Sequence, residues 1–153
     1  MDTNLQNGAG FNIFVPGVPA TSGSHKSFKG RITHASDTTK RWMDAVAWCV
    51  LEKYGNHWCV LEKYGNHCCQ DGPTRARFVF YLPRPKGHYS KKGLKSSAPQ
   101  HPVVKPDLDK LVRAVQDALT KVLWRDDSQI YELRAEKRYT EADAACGVQI
   151  YVF

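Results

Sequence analysis

The sequence predicts a small α/β (α+β mixed) fold in one domain over residues 11–153: a mixed sheet of about four strands carrying two main helices, in the order β-α-β-α-β-β. Three observations predict it. A chain of 153 residues can close one hydrophobic core but not two substantial ones. Apolar residues recur at spacings of three and four in two stretches, and they alternate or run together in four others. Pro and Gly punctuate the joins between these stretches.

Residues 1–10, polar and Gly-containing, are expected to form a disordered tail. FNIFV at 11–15 is β-prone and ends at Pro16-Gly17, which makes it the first strand. The stretch that follows, PGVPATSGSHKSFKGRITHASD, is rich in Gly, Pro, Ser and basic residues and has no period, as in a long functional loop. Ser36 or Asp37 then caps a helix with Trp42, Val46, Cys49, Val50 and Lys53 on one side, stopping at Gly55 or Gly65. WCVLEKYGNH at 48–57 recurs letter for letter at 58–67. Ten helical residues advance about 1000°, roughly 80° short of three turns, so one continuous helix does not bury both copies on the same face. Two copies of so short a unit make a local tandem duplication, not a solenoid.

RARFVFYL at 75–82 is a core strand closed by Pro83. From Arg84 to Lys105 no acidic residue occurs, and the segment reads as a mobile cationic loop. DLDKLVRAVQDALTKVL at 107–123 is the clearest helix: Leu108, Leu111, Val112, Val115, Ala118, Leu119 and Val122 share one arc of the helical wheel. QIYELRAEKRYT and GVQIYVF are expected to pair with each other antiparallel and close the domain.

Lys and Arg number 22 against 15 Asp and Glu, a net charge of +7 that favours polyanionic partners. No apolar run approaches membrane-spanning length, and MDTNLQNGAG lacks the regions of a signal peptide, so a cytoplasmic protein without a membrane is expected. In a reducing compartment the five cysteines, Cys49, Cys59, Cys68, Cys69 and Cys146, are expected to be free thiols. His57, Cys59, His67, Cys68 and Cys69 do not match zinc finger or ribbon spacings, and the duplication creates half of the set.

Chemistry concentrates around the second helix. Asp107 and Asp109 have a structural reading as cap and first-turn acids, and Asp126-Asp127 has one as a turn. Four acids in the least acidic part of a basic chain, flanking one helix, also read as a carboxylate site if the chain doubles back. Carboxylates held together repel unless a cation neutralises them, and hard oxygen donors suit Mg²⁺. Such a site activates water against a phosphodiester. Arg113, one turn after Asp109, either ion-pairs with it or contacts phosphate.

VKPDLDKLVRAVQDAL followed by WRDDSQI resembles the signature of the RusA-type Holliday junction resolvases, a family common in phages and prophages. FNIFVPGVPATSGSHKSF and LPRPKGHY are similar to further segments of its members. The resemblance covers residues 11–153 and is strongest from 104 to 137. It implies a homodimer that nicks a four-way DNA junction by Mg²⁺-dependent hydrolysis in recombination and repair, with Mn²⁺ a possible substitute and no nucleotide cofactor. By motif position Asp107, Asp109 and Asp127 match the family's carboxylates, with Asp126 their neighbour in the metal site. Arg113 stands where many members have Lys; it keeps the positive charge but does not release a proton near neutrality, so it is assigned to phosphate. Lys110 stands where Asn is frequent. DNA contacts are expected from Lys26, Lys29, Arg31, Arg84, Lys86, Lys91, Lys92, Lys95 and Lys105, with Phe28, His88 and Tyr89 either packing in loops or stacking on bases. The alternatives are a nuclease acting on flaps or other branched DNA, and a DNA-binding protein that does not cut.

Overall fold

The computed structural model describes residues 11–22, 27–28, 31–32, 37–58, 72–141 and 144–153. The predicted tail at 1–10, Lys26, Lys29, and the second copy of the repeat from Cys59 onward lie outside them.

Strand β1, Phe11–Pro16, buries Phe11, Ile13 and Val15 and turns the residues between outward, as its alternation requires. The hairpin β2 (Ser27–Phe28) and β3 (Arg31–Ile32) falls in the stretch read as a loop. Helix α1, Asp37–Trp58, buries Trp42, Val46 and Val50 and passes through Gly55 into the first residue of the second repeat copy, so Gly55 is not its stop. Strand β4 is Thr74–Leu82, helix α2 is Leu108–Leu119, strand β7 is Ile130–Tyr139 and strand β8 is Gly147–Val152. Between β4 and α2 lies a short hairpin, β5 (Tyr89–Ser90) with β6 (Gly93–Leu94).

The main sheet has the order β1-β8-β4-β7; β8 runs antiparallel to β1 and β4, and β4 runs parallel to β7. The expected β7–β8 pair does not form, because β4 lies between them. The cause is legible in burial: Ala76, Phe78, Phe80 and Leu82 are buried on one face of β4 and Val79 is buried on the other, so β4 suits the interior of the sheet with a neighbour on each side. β7, with Glu132, Arg134, Glu136 and Arg138 on alternate positions, suits an edge.

Both helices lie on one face of this sheet. Leu111, Ala114, Val115, Ala118 and Leu119 of α2 and Trp42, Val46 and Val50 of α1 pack over Ile13, Val15, Phe78, Phe80, Val148 and Ile150. Trp124 fills the space below α2, fully buried, and its indole Nε1 donates to Thr120 Oγ1 at 3.3 Å. The helix ends before the predicted Leu123, since Lys121 takes a left-handed φ of 66°. Among the described residues no helix is long and apolar enough to cross a membrane.

The segment 84–105, expected as a mobile loop, is a folded excursion. A 3-10 turn at Lys86–His88 leads into the β5–β6 hairpin, which Lys95 N closes on His88 O at 2.9 Å. The hairpin's base docks on β7, where the rings of His88 and Tyr139 meet edge to face at 5.4 Å and the Arg84 guanidinium lies 4.3 Å from the Tyr139 centroid. Contacts of this kind hold the excursion without an apolar core of its own.

Leu111 is fully buried at the centre of the helix-sheet interface. Leu111→Ala is expected to remove about 2–5 kcal/mol of stability, read as a lower urea midpoint with an unchanged slope.

Candidate active site

A β-strand, helix, parallel β-strand unit fixes where the acids stand. β4 ends at Leu82, the excursion follows, and α2 starts beside the carboxyl ends of β4 and β7. Lys137, near the end of β7, secures this start by donating from Nζ to Val104 O at 3.0 Å and to Pro106 O at 2.9 Å. The segment after β1 closes from the other side, with Ser22 N on Lys110 O at 3.3 Å and Thr39 Oγ1 on Thr21 O at 2.7 Å. Together these elements outline an open cleft of about 410 Å³ lined by Thr21, Lys105, Pro106, Asp107 and Lys110.

Asp107 occupies the N-cap position of α2 with extended backbone, yet its side chain makes no capping hydrogen bond. Its carboxylate instead meets Lys110 Nζ at 2.7 Å. The Lys110 hydrogen bond and charge, with the charges of Lys105 and Lys137, hold the Asp107 carboxyl below the ordinary Asp range. Asp109, in the first turn, is exposed, and so is Arg113. No ion pair joins Asp109 to Arg113 among the described residues, which leaves that guanidinium available to a phosphate.

Asp126 and Asp127 lie at the opposite end of the crossover. Asp126 caps the 3-10 turn Asp127–Gln129: its Oδ1 accepts from Ser128 N at 2.9 Å, and Gln129 Oε1 accepts in return from Asp126 N at 3.2 Å. The Ser128 hydrogen bonds pull the Asp126 carboxyl below its usual range. Gln129 Nε2 donates to Gly72 O at 3.1 Å, tying this turn to the start of β4. Asp127 is exposed beside the cap.

Lys137, which marks the Asp107 end, and Ile130, which marks the Asp127 end, are seven strand residues apart, about 23 Å at 3.3 Å per residue. One chain therefore does not bring Asp127 to Asp107 and Asp109. Among the described residues no three His, Cys, Asp or Glu side chains are gathered to hold a metal ion. The oxygen donors suit a hard divalent cation, but a single chain does not assemble three of them. Of the cysteines, Cys49 and Cys146 are half-buried free thiols, and Cys59, Cys68 and Cys69 lie outside the described residues.

The basic residues separate into two groups. Arg84 donates to Pro99 O at 2.8 Å and Lys95 to Gly87 O at 2.8 Å, so both brace the excursion. Lys86, Lys91, Lys92 and Lys105 are exposed. Arg31 falls in β3. Thr21 and Lys137 were not visible as site residues in the sequence: Thr21 lies in an aperiodic stretch and Lys137 in a strand of alternating charge, and only the fold carries them to Asp107.

A family model described as Endodeoxyribonuclease RusA matches residues 16–151. "Uncharacterized protein YqaN" of Bacillus subtilis (strain 168) is 37% identical over 73 residues, which cover 46% of this chain and 51% of that protein. The match thus spans about half the length of this curated relative.

The division of labour between the neighbouring acids is open to measurement. Asp126→Ala is expected to lower the urea midpoint by removing the cap, and Asp127→Ala to leave it within error of the parent. Equal losses in the two variants would show that Asp127 also serves the turn.

Proposed function

Because the chain belongs to the RusA endodeoxyribonuclease family, we propose that it is a divalent-metal-dependent endonuclease of branched DNA, cutting four-way junctions as a homodimer in cytoplasmic recombination and repair. The observation that carries this reading is the family match over residues 16–151, which takes in both PDLDKL and DDSQI. Two further features support it. The Asp107 carboxylate is not consumed by the helix cap, and exposed lysines surround its end of the sheet.

Asp107, Asp109 and Asp127 are the residues that would hold Mg²⁺, or Mn²⁺ in its place, while the cap already occupies one oxygen of Asp126. A bound cation would polarise the attacking water and offset the charge that develops on the phosphodiester. The protein's own groups do the rest. Lys110 holds the Asp107 carboxyl below the ordinary Asp range, so the carboxylate remains an oxygen donor further into acid than an isolated Asp does. Arg113 binds a phosphate oxygen and leaves proton transfer to water, since its guanidinium stays charged. Lys86, Lys91, Lys92 and Lys105 draw the DNA backbone across the cleft by displacing its counterions.

Asp107→Asn and Asp109→Asn are each expected to cut a synthetic four-way junction at least about a hundredfold more slowly in Mg²⁺, the scale of losing one group that stabilises a transition state. Their junction binding in EDTA should hold or tighten. Cleavage at the parent rate in both variants would sink the assignment, and a parent that binds junctions but never cuts them would favour the non-catalytic alternative. A parent that prefers flaps would move the substrate but keep the chemistry.

Lys91→Ala combined with Lys92→Ala is expected to weaken binding for every sequence and to lower the slope of log K against log salt by about 1–2. An unchanged slope places the DNA path away from the β5–β6 hairpin.

A further inference from the structure

The face of the main sheet turned away from the helices holds a pocket of its own. Along β4, Thr74, Ala76, Phe78 and Phe80 are buried on the helix side, so Arg75 and Arg77 stand on the other. Beside them on that face are Tyr151 of β8, across from Arg77, and Phe153, the residue after β8, whose N donates to Arg75 O at 2.9 Å.

The two arginines are differently engaged. The Arg77 guanidinium is paired with Glu136 at 2.8 Å. No acid among the described residues pairs with Arg75, and its guanidinium lies 4.5 Å from the centroid of the Phe153 ring. Arg75 Nε is shielded from solvent and has no hydrogen-bond partner among the described residues. Buried donors of this kind are few in folded proteins, because an acceptor normally replaces the water they give up.

Tyr131 joins the pocket through an irregularity in β7. The parallel ladder pairs Thr74 with Ile130 and Arg75 with Glu132, so Tyr131 is an extra residue with no counterpart on β4. A bulge of this sort interrupts the alternation of a strand and re-aims a side chain. Here it leaves Tyr131 66% exposed and sets it with Pro73, Arg75 and Phe153 around an open pocket of about 450 Å³. Pockets of about 300 to 1,000 Å³ hold ligands of drug size, a class that includes a single nucleotide.

The lining selects the ligand. It offers one cation, two aromatic rings and a proline, and no carboxylate. A metal ion or an amine finds no counter-charge there. A purely apolar ligand would cover the rings and leave the guanidinium donor unanswered, and a bare anion would do the reverse. A nucleotide answers both, with acceptor oxygens for Arg75 and a flat base for the Tyr131 ring. Bases inside a duplex are already stacked and present only their edges, so the nucleotide must be unpaired.

The pocket belongs to the Asp127 end of the sheet. Gln129, which closes the turn carrying Asp127, donates from Nε2 to the Gly72 carbonyl at 3.1 Å, next to Pro73, and Tyr131 comes two residues after Gln129. A nucleotide seated against Tyr131 is thus one short turn away from Asp127.

Resting on the nuclease reading above for the polymer being DNA, we propose that Arg75, Tyr131 and Phe153 form a subsite for one unpaired nucleotide of a DNA strand, with its base on Tyr131 and an acceptor oxygen on Arg75. Unpaired nucleotides occur where strands part, so the subsite favours branch points over uninterrupted duplex.

Fluorescence anisotropy in EDTA tests this with three labelled probes of equal length: oligothymidylate, the same backbone with abasic tetrahydrofuran in place of each base, and a duplex. Tyr131→Ala is expected to bind oligothymidylate about tenfold more weakly, the scale of one lost base stack, and to leave its binding of the abasic strand and the duplex unchanged. Tyr131→Phe, which keeps the ring, should bind like the parent. Arg75→Gln should weaken oligothymidylate binding by about tenfold and spare the duplex. Tyr131 is exposed, so its replacement spares the core and decides the proposal even if Arg75→Gln does not fold. Parent affinity for oligothymidylate in Tyr131→Ala overturns the subsite, as do an equal loss on all three probes and a parent that does not distinguish oligothymidylate from the abasic strand. A parent that cuts no branched DNA overturns the nuclease reading instead, and the difference between Tyr131→Ala and Tyr131→Phe still decides the subsite.

Discussion

The parallel pairing of β4 with β7 across α2 is the constraint on which the rest of the molecule depends. Parallel neighbours need a connection that returns the chain to the starting end, and a helix antiparallel to both strands supplies it. Everything between Leu82 and Leu108 is then confined to one end of the sheet, and everything between Leu119 and Ile130 to the other. The buried arc of α2 enforces this, because Leu111, Val115 and Leu119 reach the sheet only while the helix lies along it. The separation of Asp107 from Asp127 is thus a consequence of core packing and not of any property of the acids.

The two ends differ in character. At the Asp107 end, backbone groups are bound by side chains from other elements: Lys137 from β7 holds the carbonyls of Val104 and Pro106, and Thr39 from α1 holds that of Thr21. The capping position of α2 is filled without use of the Asp107 carboxylate, which faces lysines. At the Asp127 end the short turn is satisfied locally by Asp126 and Gln129. Neighbouring residues of one type therefore carry different duties, and hydrogen bonding, not sequence position, separates them.

The excursion between β4 and α2 shows how a cationic segment acquires a fixed shape. Two of its basic side chains, Arg84 and Lys95, are spent on backbone carbonyls, and the Tyr139 ring at the end of β7 receives Arg84 over its face and meets the His88 ring at right angles. Lys86, Lys91 and Lys92 are left exposed around the same end as Asp107. A fixed array of charges beside a carboxylate pair positions a polyanion better than a disordered one does, because less conformational entropy is lost on binding.

Much of this was determined by the sequence alone. The apolar period of three and four fixed α2 and the buried side of α1, the alternation in FNIFV fixed β1, and PDLDKL with DDSQI carried the family resemblance, because each of these signals is local. Pairing was not local: β7 and β8 adjoin in sequence, yet β4 enters between them, since the strand richer in buried residues takes the interior and the charged one the edge. The roles of Asp126, Arg84, Lys95, Thr21 and Lys137 were equally out of reach, since each depends on a partner brought from a distant part of the chain. Tertiary structure decided these matters because hydrogen bonds and strand neighbours are set by which surfaces the core brings together, and no window of sequence contains both sides of such a contact.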